Sequence, residues 1–153
     1  MPIPDEYKTW FEEVCKEAEL DDVALAVEEC GMVLNEVPFL FVKGLVDSES
    51  RLIVQAIIEQ LPQTGAMEIL CRILEIQMVL AGPTGPVFGL ERTSNTLMLV
   101  TTIAPGEVSP TAMVALLRLL APMARIWRDT LHATGPVQLN SQQKKMMEQF
   151  NRT

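Results

Sequence analysis

Apolar residues recur along this chain with two different periods, and the changes of period mark its elements. Tyr7, Trp10, Phe11, Val14, Cys15 and Ala18 fall three and four apart, which predicts a helix over Asp5–Ala18. Pro4 precedes it, and Asp5 and Glu6 load its first turn, where the helix dipole favours negative charge. From Cys30 to Leu61 the period falls to two, in runs rich in branched and aromatic residues. Three antiparallel strands are expected there, near Gly31–Asn35, Phe39–Val46 and Arg51–Glu59. Asn35-Glu36 and Asp47-Ser48-Glu49-Ser50 serve as turns. The stretch Asp21–Val27 reads as a short strand or as an extended connection.

Helical spacing returns at Met67, Leu70, Cys71, Leu74 and Met78, and Ile69, Ile73 and Ile76 widen the stripe. So broad an apolar surface on one helix implies burial on two sides, in the core and against something else. Gly82-Pro83-Thr84-Gly85-Pro86 breaks the pattern. Val87–Glu91 and Thr96–Ile103 then flank Arg92-Thr93-Ser94-Asn95 as a hairpin. Ser109-Pro110 is an N-cap followed by proline at the first helical position. Met113, Leu117, Leu120, Ala124, Trp127 and Leu131 line one side of a long helix beyond it, with Pro122 inside. The order is α-β-β-β-α-β-β-α, an α+β fold with an antiparallel sheet and helices. Residues 1–135 are expected to form one domain, and 136–153 a polar, flexible tail.

Composition and charge narrow the function. Of the 153 residues 48% are hydrophobic, yet the formal net charge is −8. Mean hydropathy is +0.21 and the isoelectric point about 4.6. A chain this apolar and this charged leaves apolar surface for a partner, while its charge keeps the free form soluble. Residues 1–80 hold 16 acids against 5 bases, and residues 81–153 hold 4 against 7. The acidic half argues against a phosphate-backbone footprint and hence against nucleic acid. It serves as a solvated face or steers a partner. The most apolar stretch, Ala112 to Ala124, is cut by Arg118 and Pro122 and is too short for membrane insertion. No secretory leader is visible in MPIPDEYKTW, and a cytoplasmic location is expected.

Catalytic candidates are sparse. Cys15, Cys30 and Cys71 have neither disulfide nor zinc spacing and are expected to be reduced. His132 is the sole histidine, and nothing local supports a Cys–His nucleophile pair with Cys30 or Cys71. There is no P-loop and no G-x-G-x-x-G. Arg118, Arg125 and Arg128 share a side of the last helix and are expected to pair with the acidic half or with a second subunit. The chain is therefore not expected to be an enzyme, and it shows no cofactor or metal site.

Three stretches together resemble the class I type III secretion chaperones, the Tir chaperone (CesT-like) family. They are Cys30–Leu61 with its closing Leu-Pro, Met67–Leu80, and Val87-Phe-Gly-Leu-Glu through Leu97-Met-Leu-Val to Ile126-Trp127-Arg128-x-x-Leu131. The chain departs from the family in carrying Ile76-Gln77 where relatives often have Asn, and in its longer tail. The resemblance implies a homodimer in the bacterial cytoplasm. It would hold the N-terminal region of a secreted effector partly unfolded and pass it to the export apparatus, including its ATPase. A regulatory adaptor on the same scaffold is the alternative.

Under that reading, the candidates for effector contact are Trp10, Phe11, Val14, Met32, Leu34, Phe39 and Phe41. Each could equally face the core, because alternate strand residues must point inward. The candidates for the dimer interface are Ile69, Ile73, Ile76, Met78, Phe88 and Leu90.

Overall fold

A computed structural model describes residues 3–44, 51–80, 85–133 and 141–151. Five antiparallel strands form one sheet in the order β1-β2-β3-β5-β4. They are β1 (Gly31–Leu34), β2 (Val37–Lys43), β3 (Leu52–Gln60), β4 (Val87–Glu91) and β5 (Thr96–Ile103). The helices are α1 (Asp5–Glu17), α2 (Val23–Glu29), α3 (Ala66–Leu80), α4 (Pro110–His132) and α5 (Ser141–Asn151). The fold class is the α+β antiparallel sheet expected from the sequence. The Asp47–Ser50 turn, the end of the second predicted strand, Gly82–Thr84 and Gly135-Pro136 lie outside the described residues.

Two elements differ from expectation. The stretch left as strand or connection contains helix α2. Asp22 caps it by accepting from the Leu25 N–H at 2.9 Å, and Cys30 ends it in the left-handed conformation with φ 53°. Within the expected flexible tail, Ser141–Asn151 is helical and lies against α4. Gln143, 4% exposed, donates to the Thr130 hydroxyl at 2.8 Å, and Met146 packs at the edge of the core.

The core lies between one sheet face and helices α1 and α4. Strand parity puts Phe39, Phe41, Leu52, Val54, Ala56, Leu97, Leu99 and Ile103 on that face, and all are buried. Phe11 of α1 meets Phe41 edge-on, with ring centroids 4.8 Å apart. The stripe of α4 named above is buried in full, and Trp127 packs edge-on against Phe88 at 6.2 Å. Pro122 has no N–H for the Arg118 carbonyl, yet α4 runs through it as one helix, held by the core on either side.

Tight turns fix the register. Asn35 and Glu36 both have positive φ, 50° and 67°, as a two-residue hairpin requires between right-twisted strands. Arg125 of α4 pairs with Glu36 across 3.2 Å, one link between the basic helix side and the acidic half. At the β4–β5 turn, Glu91 accepts from Thr93 N at 2.9 Å, Ser94 N at 2.6 Å and Ser94 Oγ at 2.5 Å. The Ser94 hydroxyl, then the Ser94 and Thr93 amides, pull its pKa from 4.5 to about 2. A carboxylate with a lowered pKa stabilises the fold above its unfolded pKa, and that contribution is lost as pH falls through the folded one. The β4–β5 turn therefore loosens between pH 4.5 and about 2. The protection of the Thr93 and Ser94 amides, relative to their intrinsic exchange rates at each pH, should fall as pH drops across that window in the wild type and stay flat in Glu91→Gln.

Candidate interaction surface

The second face of the sheet has no helix on it among the described residues. Parity puts Val33, Leu40, Val42, Ile53, Ile57, Met98, Val100 and Val87 there, with Gln55 and Thr102 as polar positions in the middle of β3 and β5 and Gln60 and Thr96 at their far end. Val33 is 61% exposed, Val87 48% and Leu40 39%, while Val42, Ile53, Ile57 and Val100 are half-buried. Met98 is buried on this outer face. It lies over Gly89, where an added Cβ would come within 3.3 Å of its Cγ. A continuous apolar sheet surface is far from ordinary exposed surface and marks an interaction site.

The two sheet edges are not equivalent. At β4 the Phe88 amide donates to the Gln77 side chain of α3 at 3.0 Å, so a helix closes that edge. At the other edge, Phe41 N donates to Cys30 O at 2.8 Å, which sets the phase of the β1–β2 ladder. Cys30, Met32 and Leu34 then bond toward β2, and the N–H and C=O of Gly31 and Val33 point away from it; Val33 is exposed, while Gly31 is buried where α2 packs beside β1. Gly31 is required here for a second reason. A Cβ on it would stand 2.8 Å from the Phe39 carbonyl oxygen.

These positions sort the residues expected to touch an effector. Phe11, Val14, Phe39 and Phe41 are fully buried, and Met32 and Leu34 are 7% and 8% exposed. The strand residues among them face α1 and α4, whereas their neighbours Val33 and Leu40 face outward. Trp10 is half-buried, and its indole N–H is taken by the Val108 carbonyl at 2.8 Å. Leu25 of α2, 46% exposed, was missed because α2 itself was not recognised.

The residues expected at a dimer interface divide in the same way. Ile69, Ile73 and Ile76 face the core at 5%, 9% and 0% exposure. Phe88 is half-buried against Trp127, whereas Met78 is 76% and Leu90 45% exposed. The outward stripe of α3 is Met67, Cys71, Leu74 and Met78, at spacings of four, three and four. Its opposite side is tied to α4, where the Arg72 guanidinium donates to the Thr130 carbonyl at 3.2 Å.

Catalytic geometry is not evident at the candidate groups. Burial first, and then the charge of Glu12, push the Cys15 thiol up to about 11, so it stays protonated. His132 meets Glu59 at 2.7 Å. Among the described residues, no group of three or more His, Cys, Asp or Glu side chains could hold a metal ion. No helix there is long and apolar enough to cross a membrane.

A family model, the Tir chaperone protein (CesT) family, matches residues 38–128. The chain belongs to the Tir chaperone family. The match runs from β2 into α4 and so spans most of the sheet, α3 and the Trp127 anchor. Two solved structures are similar in fold. One is the HopA1–SchA chaperone–effector complex, at 18% identity and TM-score 0.56, covering 80% of this chain and 93% of the other. The second is the ExsC–ExsE complex, at 18% identity and TM-score 0.57, covering 88% and 100%. No curated protein sequence matches.

Proposed function

We propose that this protein is a dimeric chaperone of the bacterial cytoplasm for type III secreted effectors. It holds the N-terminal region of its guest in an extended, secretion-competent form and delivers it to the export apparatus and its ATPase. The observation that carries this reading is the bare apolar sheet face beside the open β1 edge, in a chain of the Tir chaperone family. An extended guest gains main-chain hydrogen bonds at Gly31 and Val33, and its alternate side chains reach Val33 and Leu40. A folded guest could not expose its backbone in this way. The chemistry required is binding alone, with no group transfer and no cofactor.

The outward stripe of α3 is the dimer surface in this reading, with Leu90 beside it. Four apolar or soft side chains in one line are costly to leave in water, and a second copy of the same stripe across a two-fold axis covers both. The function is tested by co-expression with the secreted protein encoded beside it. The wild type should co-purify with a guest carrying its N-terminal region and lose it when that region is deleted. Capture that depends on the guest's folded C-terminal part would contradict the reading.

A further inference from the structure

Between α2 and the open edge of β1 runs a groove of about 300 Å³. Its walls are apolar, from Leu25 and Ala26 on α2 to Met32, Val33 and Leu40 on the strands. Three carboxylates stand on its rim, Asp21, Asp22 and Glu29, and its lining includes no lysine or arginine. Asp22 spends one oxygen on capping α2, but its charge remains. The outward main-chain groups of Gly31 and Val33 run along the same groove.

We propose that this groove selects a basic guest segment: an extended stretch with an aliphatic anchor and a lysine or arginine beside it. The inference rests on the chaperone reading above and adds the chemistry that the site discriminates. An aliphatic side chain fills the space between Leu25 and Met32, while the neighbouring basic side chain lays its stem along the wall and its charge on the rim. The negative rim sits in the half of the chain with 16 acids and 5 bases, so the wider field steers the same guest. A second copy of this chain is the wrong occupant, because pairing two β1 edges would bring both sets of carboxylates together. The rim thus leaves the edge open to a basic strand and closed to its own kind.

The test uses the full chain and fluorescent extended peptides about a dozen residues long, alternating Leu and Val with polar positions. One series carries two lysines, a second two glutamates and a third two glutamines. At about 50 mM salt the lysine peptide should bind roughly 10-fold or more tightly than the glutamate peptide, and the gap should shrink at about 300 mM, where screening is stronger. Asp21→Asn with Glu29→Gln should weaken the lysine peptide several-fold and leave the glutamine peptide unchanged. Both residues are exposed, so the fold is kept, and a thermal melt checks it. Leu25→Lys should abolish binding of the lysine peptide. Equal binding of lysine and glutamate peptides, no effect of the double variant, or no binding of the lysine peptide would each overturn the proposal. Co-purification of the natural guest separates the two readings. A guest retained in full by Leu25→Lys removes this groove and leaves the chaperone standing, whereas a wild type that captures no guest removes the chaperone reading itself.

Discussion

Leu74→Asp and Met78→Asp should each turn the proposed dimer into a monomer. In light scattering the wild type should weigh twice the 17.0 kDa of one chain, and each variant 17.0 kDa. Leu74 and Met78 are 71% and 76% exposed in a single chain, so aspartate there costs the isolated fold little. In the dimer every such site occurs twice. Burying a Leu or Met side chain is worth roughly 1.5–3 kcal/mol, and a carboxylate in its place must also be stripped of water. A loss of at least about 4 kcal/mol is expected, or roughly three orders of magnitude in the dimer constant. Cys71 supplies an internal reporter. It lies on the same stripe and is exposed in the single chain, so its thiol should react slowly in the wild type and quickly in Leu74→Asp. A wild type that is monomeric, with a rapidly reacting Cys71, would remove the interface.

The second large effect separates core from contact surface at adjacent residues. Phe41 is fully buried against Phe11, whereas Leu40 is 39% exposed on the other side of the same strand. Phe41→Ala should cost about 3–5 kcal/mol, because it leaves a ring-sized cavity. For a chain of this length that lowers the melting temperature by roughly 10 °C. Leu40→Ala should change stability by about 1 kcal/mol or less, as an exposed position does, yet weaken guest binding. A guest lost at native temperature only through Phe41→Ala, with Leu40→Ala inert, would place the contact elsewhere.

The contrast between Phe41 and Leu40 also shows where sequence reading stops. Period two announces a strand but does not say which alternate set faces the helices when both sets are apolar. Phe39-Leu40-Phe41-Val42 is such a run, and from the sequence its aromatic set could equally face the core or a partner. What settles the side is Phe11, a residue 30 positions away that packs on Phe41. The same ambiguity holds on α3, where the isoleucines and the Met67–Met78 stripe were both visible as apolar. The isoleucines turn inward because Arg72 and Ile76 on their side meet α4 and the core.

Local chemistry was easier to read. The Ser109-Pro110 start of α4, its buried stripe and the Arg92–Asn95 hairpin need only neighbouring residues and emerge as expected. Helix α2 did have a signal in its Asp22 N-cap, but seven residues give too few turns for periodicity to show. Its stop at Cys30, in a conformation usually left to glycine or asparagine, has no sequence mark. Without α2 there was no groove, and Leu25 and the acidic rim could not be brought together. The asymmetry of the sheet edges was equally hidden, since it depends on Gln77 reaching the Phe88 amide from another element.

Hydrogen exchange of the full chain, free and bound to the N-terminal region of its secreted guest, tests the central claim most directly. The account predicts new protection at the Gly31 and Val33 amides, while the Phe88 amide, already held by Gln77, stays unchanged. Protection confined to the β4 edge or to α4, with Gly31 and Val33 exchanging as in the free protein, would contradict it.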